Sequence, residues 1–353
     1  MRNPPARPVQ RSLWSAFAAK CAIALFAGSL AGPIAAHGQD IVFPPAPDAP
    51  RVRYLYSLSG PQDIKPKVSG FRAFLLKLAG KGPRSGQAMV RPYGVYAASG
   101  RVFVADTGGM AVAVFDRGAK RLTRIGGSRE GSLINPIDVA ADEAGNIYVT
   151  DSGLNLVKVY GPDGNFLRQL GTASGLSHPT GIVYDAGRKR LIVADTGNSR
   201  LVLFDAGGKM SGTIGRRGTE KGDMSVPINL ALDREGDIYV VENMLSRVQI
   251  YSPEGVFLSQ FGKNGDLPGY FARPRGIALD SDGNIYVVDA LMNMVQIFDR
   301  EGKLLLFFGG GGAEPGTFQL PAGIFIDPED RIYVVDSNNR RVQVFQYLKP
   351  PPK

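Results

Sequence analysis

The apolar residues of this chain fall into short runs separated by turns of Gly, Pro, Asp and Asn. Few polar residues interrupt the runs, the pattern of strands covered on both faces. The runs repeat. A Pro opens each unit, at Pro92, Pro136, Pro179, Pro227, Pro274 and Pro321, with spacings of 44, 43, 48, 47 and 47 residues. After it comes an apolar segment such as "RGIALD", then a turn such as "SDGN" (281–284). A second segment ends in an acid, as in "IYVVD", and a third follows, as in "VQIF". A turn such as "DREGK" (299–303) leads to a fourth, "LLLFFG" (304–309).

Four short strands repeated at this period predict the blades of a β-propeller. Six units open, but the last ends at "VQVFQYLKPPPK" with no fourth strand. "RVRYLYSLSG" (51–60) precedes the first unit and matches the fourth-strand pattern of "GVFLSQFG" (255–262). The chain therefore reads as an all-β, six-bladed propeller with four-stranded blades, closed by an N-terminal strand added to the last blade. That closure leaves no unpaired edge in the ring. The composite pattern, a Pro and Gly, an acid after the second strand, then N-x-R-V and F-G, resembles the NHL repeat family over residues 51–347. The resemblance implies a platform for binding and, in some members, a lyase or hydrolase.

Outside the repeats, Arg2, Arg7, Arg11 and Lys20 precede the apolar run "CAIALFAGSLAGPIAA" (21–36), and no acid occurs before Asp40. This is the layout of a signal peptide over residues 1–38, followed by a Pro-rich linker at 39–50. The expected location is the periplasm or the medium of a bacterial cell. The apolar run is too short, and too broken by Gly32-Pro33, for a stable membrane span. The chain carries 41 basic and 32 acidic residues. Without the four basic residues of the signal, 37 remain against 32 acids, a net +5. That balance does not suggest a nucleic-acid surface. Cys21 lies in the signal, so the remaining chain has no disulfide, thiolate ligand or cysteine nucleophile.

The turns after the second-strand acid differ among the units. "DTGNSRL" (195–201) and "DSNNRRV" (336–342) are polar, as a solvated turn should be. The other four place Met110, Leu154, Met244, Leu245, Leu291, Met292 and Met294 in or beside the turn. In a propeller these turns share a face with the connections between blades, which add Tyr270, Phe271 and Phe318 unless those side chains pack between blades. The strand 1–2 and strand 3–4 hairpins lie on the other face and look structural, with tight Asp-Gly turn chemistry. Between the closing strand and blade one, Phe71, Phe74, Leu75 and Leu78 recur at helical spacing, predicting a short amphipathic helix at 69–80. The apolar turns therefore have two readings: a seat for that helix, or a surface for an apolar partner. A displaceable helix combines them.

Candidate chemistry is sparse. The acids Asp106, Asp151, Asp195, Glu242, Asp289 and Asp336 recur once per blade, which suits a turn-holding role. The second residue after each opening Pro should approach the central tunnel. It is Gly in four units and Asp138 and Asn229 in the others. With Glu242, those oxygens would suit a hard cation such as Ca²⁺. Lactonase-like propellers resemble this arrangement, although no cofactor is required by the repeats. The amidating lyases that the resemblance brings in use several His on zinc. Here the only histidines are His37 and His178, so no such site forms. The expectation is a monomeric, exported, non-enzymatic scaffold for a protein or glycan partner in the cell envelope. A metal-dependent lyase or lactonase at the tunnel is the alternative.

Overall fold

A computed structural model describes residues 40–64, 89–173 and 175–350, which belong to one compact unit. The repeats form six antiparallel sheets. Blade one runs Pro92–Ala98, Arg101–Asp106, Ala111–Asp116 and Arg121–Ile125. The first strands of the other blades are Pro136–Ala141, Pro179–Asp185, Pro227–Leu232, Pro274–Leu279 and Pro321–Ile326. These first strands pack side by side around the axis, and Pro321–Ile326 returns to Pro92–Ala98. The fold is thus an all-β, six-bladed propeller with only 3-10 turns as helical structure among the described residues.

The ring closes as the sequence predicts. Val52–Leu58 pairs with Arg341–Tyr347, with Val52 opposite Tyr347 and Leu58 opposite Val342. A further short strand, Val42–Phe43, pairs outside it, in a stretch read from sequence as linker. The Phe43 ring lies 5.5 Å from that of Phe308. The expected signal (1–38) and helix (69–80, with Phe71, Phe74, Leu75 and Leu78) lie outside the described residues.

The near-continuous apolar runs have a simple cause. Second strands such as Ile285–Asp289 are buried on both faces, because each sheet packs between two neighbours. The strand-two acid then fixes each blade entrance. Asp106 accepts from the amides of Val90 and Arg91, Asp151 from Ile134 and Asn135, and Asp289 from Ala272 and Arg273. Asp195 takes Ser177 N–H and Asp336 takes Gln319 N–H. All six acids, Glu242 included, are buried. The residue after the acid ties one blade to the next. Thr107, Thr196 and Ser337 donate their hydroxyls to the carbonyls of Pro136, Pro227 and Pro92. The last of these joins blade six to blade one.

Candidate functional site

Strand direction assigns the faces. Each first strand starts at its Pro, and each second strand returns to end at the acid opposite that Pro. The strand 2–3 turns and the blade connections therefore share one face, called here the entry face. The strand 1–2 and 3–4 hairpins form the other.

At the entry end of the tunnel, Asp138 and Asn229 meet. Asn229 Nδ2 donates to Asp138 Oδ2 at 3.1 Å. The same carboxylate accepts from the amides of Val139 and Ile182, and Asn229 Oδ1 accepts from Ile277 N–H. Hydrogen bonds thus run from blade two through three and four to five. Burial raises the Asp138 carboxyl to about 7, against the lowering effect of those donors. The equivalent positions in the remaining blades are glycines in tight backbone contact. A Cβ on Gly276 would lie 2.6 Å from the Ala322 carbonyl oxygen, and one on Gly323 2.6 Å from that of Tyr93.

Glu242 is not part of this cluster. Its Oε2 accepts from the amides of Ser225 and Val226, the job the Asp residues do in other blades. The cation set read from sequence therefore separates into a tunnel pair and a loop anchor. The tunnel pair does not fit a cation as arranged. Asn229 turns its N–H toward the carboxylate, its oxygen already takes an amide, and two side chains fall short of a Ca²⁺ shell. Among the described residues no group of three or more His, Cys, Asp or Glu could hold a metal. His178 is an exposed connection residue at φ +48°, its N–H held by Asn155 Oδ1 at 2.8 Å.

The entry-face turns show how an apolar side chain is tolerated there. In blade six, Asn339 Nδ2 and Arg341 Nε both bond Asp336 Oδ2. Asn198 and Arg200 treat Asp195 alike. In blade five, Met292 and Met294 replace that Asn and Arg, and Asp289 takes the amides of Leu291 and Met292 instead. The Asn has moved one place along: Asn293 Oδ1 accepts from Leu320 N–H at 2.8 Å. Asn155 makes the same shift in blade two. The side chains facing away are then free of structural duty. Leu154, Leu245, Met292 and Met294 are half-buried, whereas Met110, Met244 and Leu291 are 56%, 71% and 62% exposed. Val90 and Ile134, in the blade connections, are also exposed on this face and were not singled out by sequence. Phe271 and Phe318 are fully buried between blades and add nothing to it, and Tyr270 is half-buried.

The opposite face, read from sequence as merely structural, carries a cavity of ≈ 1120 Å³ framed by the strand 1–2 hairpins. A smaller cavity of ≈ 290 Å³ in the tunnel shares Tyr96, Leu232, Leu279 and Phe325 with it.

The family model for the SMP-30/Gluconolactonase/LRE-like region matches residues 87–266, and NHL repeats match 271–298 and 318–345. No curated protein matched the sequence. Among solved structures, a streptogramin B lyase aligns at TM-score 0.57 and 14% identity, covering 84% of this chain and 98% of that one. An auxiliary nutrient binding protein from Bacteroides thetaiotaomicron VPI-5482 aligns at TM-score 0.58 and 11% identity, covering 74% and 70%. A luciferin-regenerating enzyme aligns at TM-score 0.56 and 12% identity, covering 74% and 92%. At such identities the likeness is one of fold, shared by enzymes and a binding protein alike. With the family model matching 180 of 353 residues on a closed ring of six blades, the chain belongs to the SMP-30/gluconolactonase/LRE-like propellers and carries NHL repeats in its last two blades.

Proposed function

We propose that the protein is an exported, non-enzymatic binding propeller that docks a partner protein on its entry face. The observation that carries this reading is the exposure of Met110, Met244 and Leu291 on one rim, where the sibling turns of blades three and six carry Gly, Ser, Asn and Arg. Met244 and Leu291 sit on adjacent blades and Met110 on blade one of the same face. Exposed aliphatic residues that share a face suit association, and Met adapts well to an apolar partner. A glycan would be better served by aromatic platforms, and this rim offers Leu and Met instead. The tunnel arrangement supports the same reading: Asp138 and Asn229 use their polar atoms on each other and on backbone amides. The basic and then apolar N-terminus supports export.

The experiment is capture of partners from a cell-envelope extract on the immobilised protein and on Leu291→Ser and Met244→Ser. The expected result is a discrete partner retained by the wild type and lost from both variants, with melting temperatures unchanged. Equal capture by all three overturns the reading. The family includes enzymes, so a lactonase or lyase at the tunnel is the second reading. Calorimetric titration with Ca²⁺ separates the two: a stoichiometric site abolished by Asp138→Leu would favour the enzyme.

A further inference from the structure

The cavity on the face opposite the rim is unequal around its circumference. In five blades the residue six after the opening Pro is an aspartate: Asp142, Asp185, Asp233, Asp280 and Asp327. Each is engaged within or beside its own hairpin. Asp327 holds Arg331 and Tyr333, Asp280 holds Asn284 and Tyr286, and Asp233 holds Tyr239 and Arg300. Asp142 and Asp185 hold Tyr148 and Arg190. Blade one breaks the rule. Ala98 stands at that position, the hairpin is one residue shorter than in blade two, and Phe103 replaces the tyrosine.

That exchange leaves a sector of the rim with two arginines and no acid at the hairpin position. Asp116, opposite Arg101 on the third strand, accepts from the Ala119 amide, and Asp142 and Glu143 of blade two lie near Tyr96. Arg117 lies over the Tyr56 ring, its Cζ 4.1 Å from the centroid. Arg101 donates to the Pro162 carbonyl at 2.9 Å. Neither has a carboxylate within ion-pair distance among the described residues. The wall beside them is aromatic: Tyr96 and Phe325 lie 4.7 Å apart, and the hydroxyls of Tyr56 and Tyr96 have no hydrogen-bond partner among the described residues. Most other acids lining the cavity are paired. Asp282 and Asp330 face Lys349, and Glu329 faces Arg331. Glu235 is left, on the blade-four hairpin, across the ring from blade one.

We propose that this sector binds a small aromatic carboxylate, with its carboxylate on Arg117 and its ring against Tyr96 and Phe325. A guanidinium matches a carboxylate in shape and charge, and its seat on Tyr56 holds it in place. Offset or tilted rings supply the apolar half of the recognition. The site stands apart from the entry-face reading above, and the two fail through different substitutions.

The test is isothermal titration calorimetry of the full chain with 4-hydroxycinnamate, and with its methyl ester as the neutral probe. The wild type should bind the acid at one site. Binding should weaken roughly ten-fold or more for the ester, for Arg117→Ala, and for Ala98→Asp, which restores the acid of the other blades. Leu291→Ser should bind as the wild type does. No heat from the acid at millimolar concentration overturns the proposal. So does equal binding of acid and ester, or equal binding by the wild type and both cavity variants.

Discussion

Glu242 stands where five blades carry Asp, and the extra methylene has a measurable consequence. In blades three and six the acid pairs with the Nε of an Arg five residues on, at 2.8 Å in both. In blade four, Glu242 Oε1 and Arg247 Nε are both buried and both lack a partner. Burial raises the Glu242 carboxyl, with the amides of Ser225 and Val226 and the charge of Arg247 opposing it. Glu242→Asp should let the pair form, raising stability by about 1–2 kcal/mol in urea unfolding; a loss of stability would contradict this account. Asp138 gives a pH dependence. Its carboxyl is raised to about 7 in the fold, so between the ordinary carboxylate range and pH 7 the folded state holds a proton that the unfolded state has released. Its contribution therefore falls as pH rises through that window. The stability difference between the wild type and Asp138→Leu should move in favour of the variant from pH 4 to 8, by no more than about 4 kcal/mol. A difference independent of pH would refute the assignment.

At the scale of the element, the strand pattern was open to reading because burial on both faces leaves a continuous apolar run. The acid after strand two was equally legible, since its recurrence matched a structural role and all six make amide contacts. The turn chemistry was only half legible. Leu and Met in the blade-five turn stood out, but not the compensating move of the Asn to position 293, which needs the neighbouring amide of Leu320 to be in view. The cavity behind the blade-one hairpin was not legible from turn type, because a tight turn of suitable chemistry says nothing of the space its neighbours enclose. Compared position by position, Ala98 among five aspartates is the signal that marks the cavity. Phe271 and Phe318 could not be placed from sequence, since a connection residue that folds back between blades looks like one that faces solvent.

For the whole molecule, closure is the feature on which the rest depends. Leu58 and Val52 come from the N-terminal segment, yet both are fully buried against blade six. Leu58→Ala should therefore cost about 2–5 kcal/mol, as a core truncation does, and a change below 1 kcal/mol in urea unfolding would show that the ring does not depend on this strand. The closed ring separates two faces with different chemistry: an aliphatic rim at the entry face and an aromatic, arginine-lined sector at the other. The tunnel between them is crossed by the Asp138–Asn229 hydrogen bonds. The docking claim is tested most directly by photocrosslinking in cells from a benzophenone side chain at position 291, with position 258 on an outer strand as the control. The account predicts one discrete protein adduct from 291 and none from 258. The same adducts from both positions, or none from 291, would contradict it.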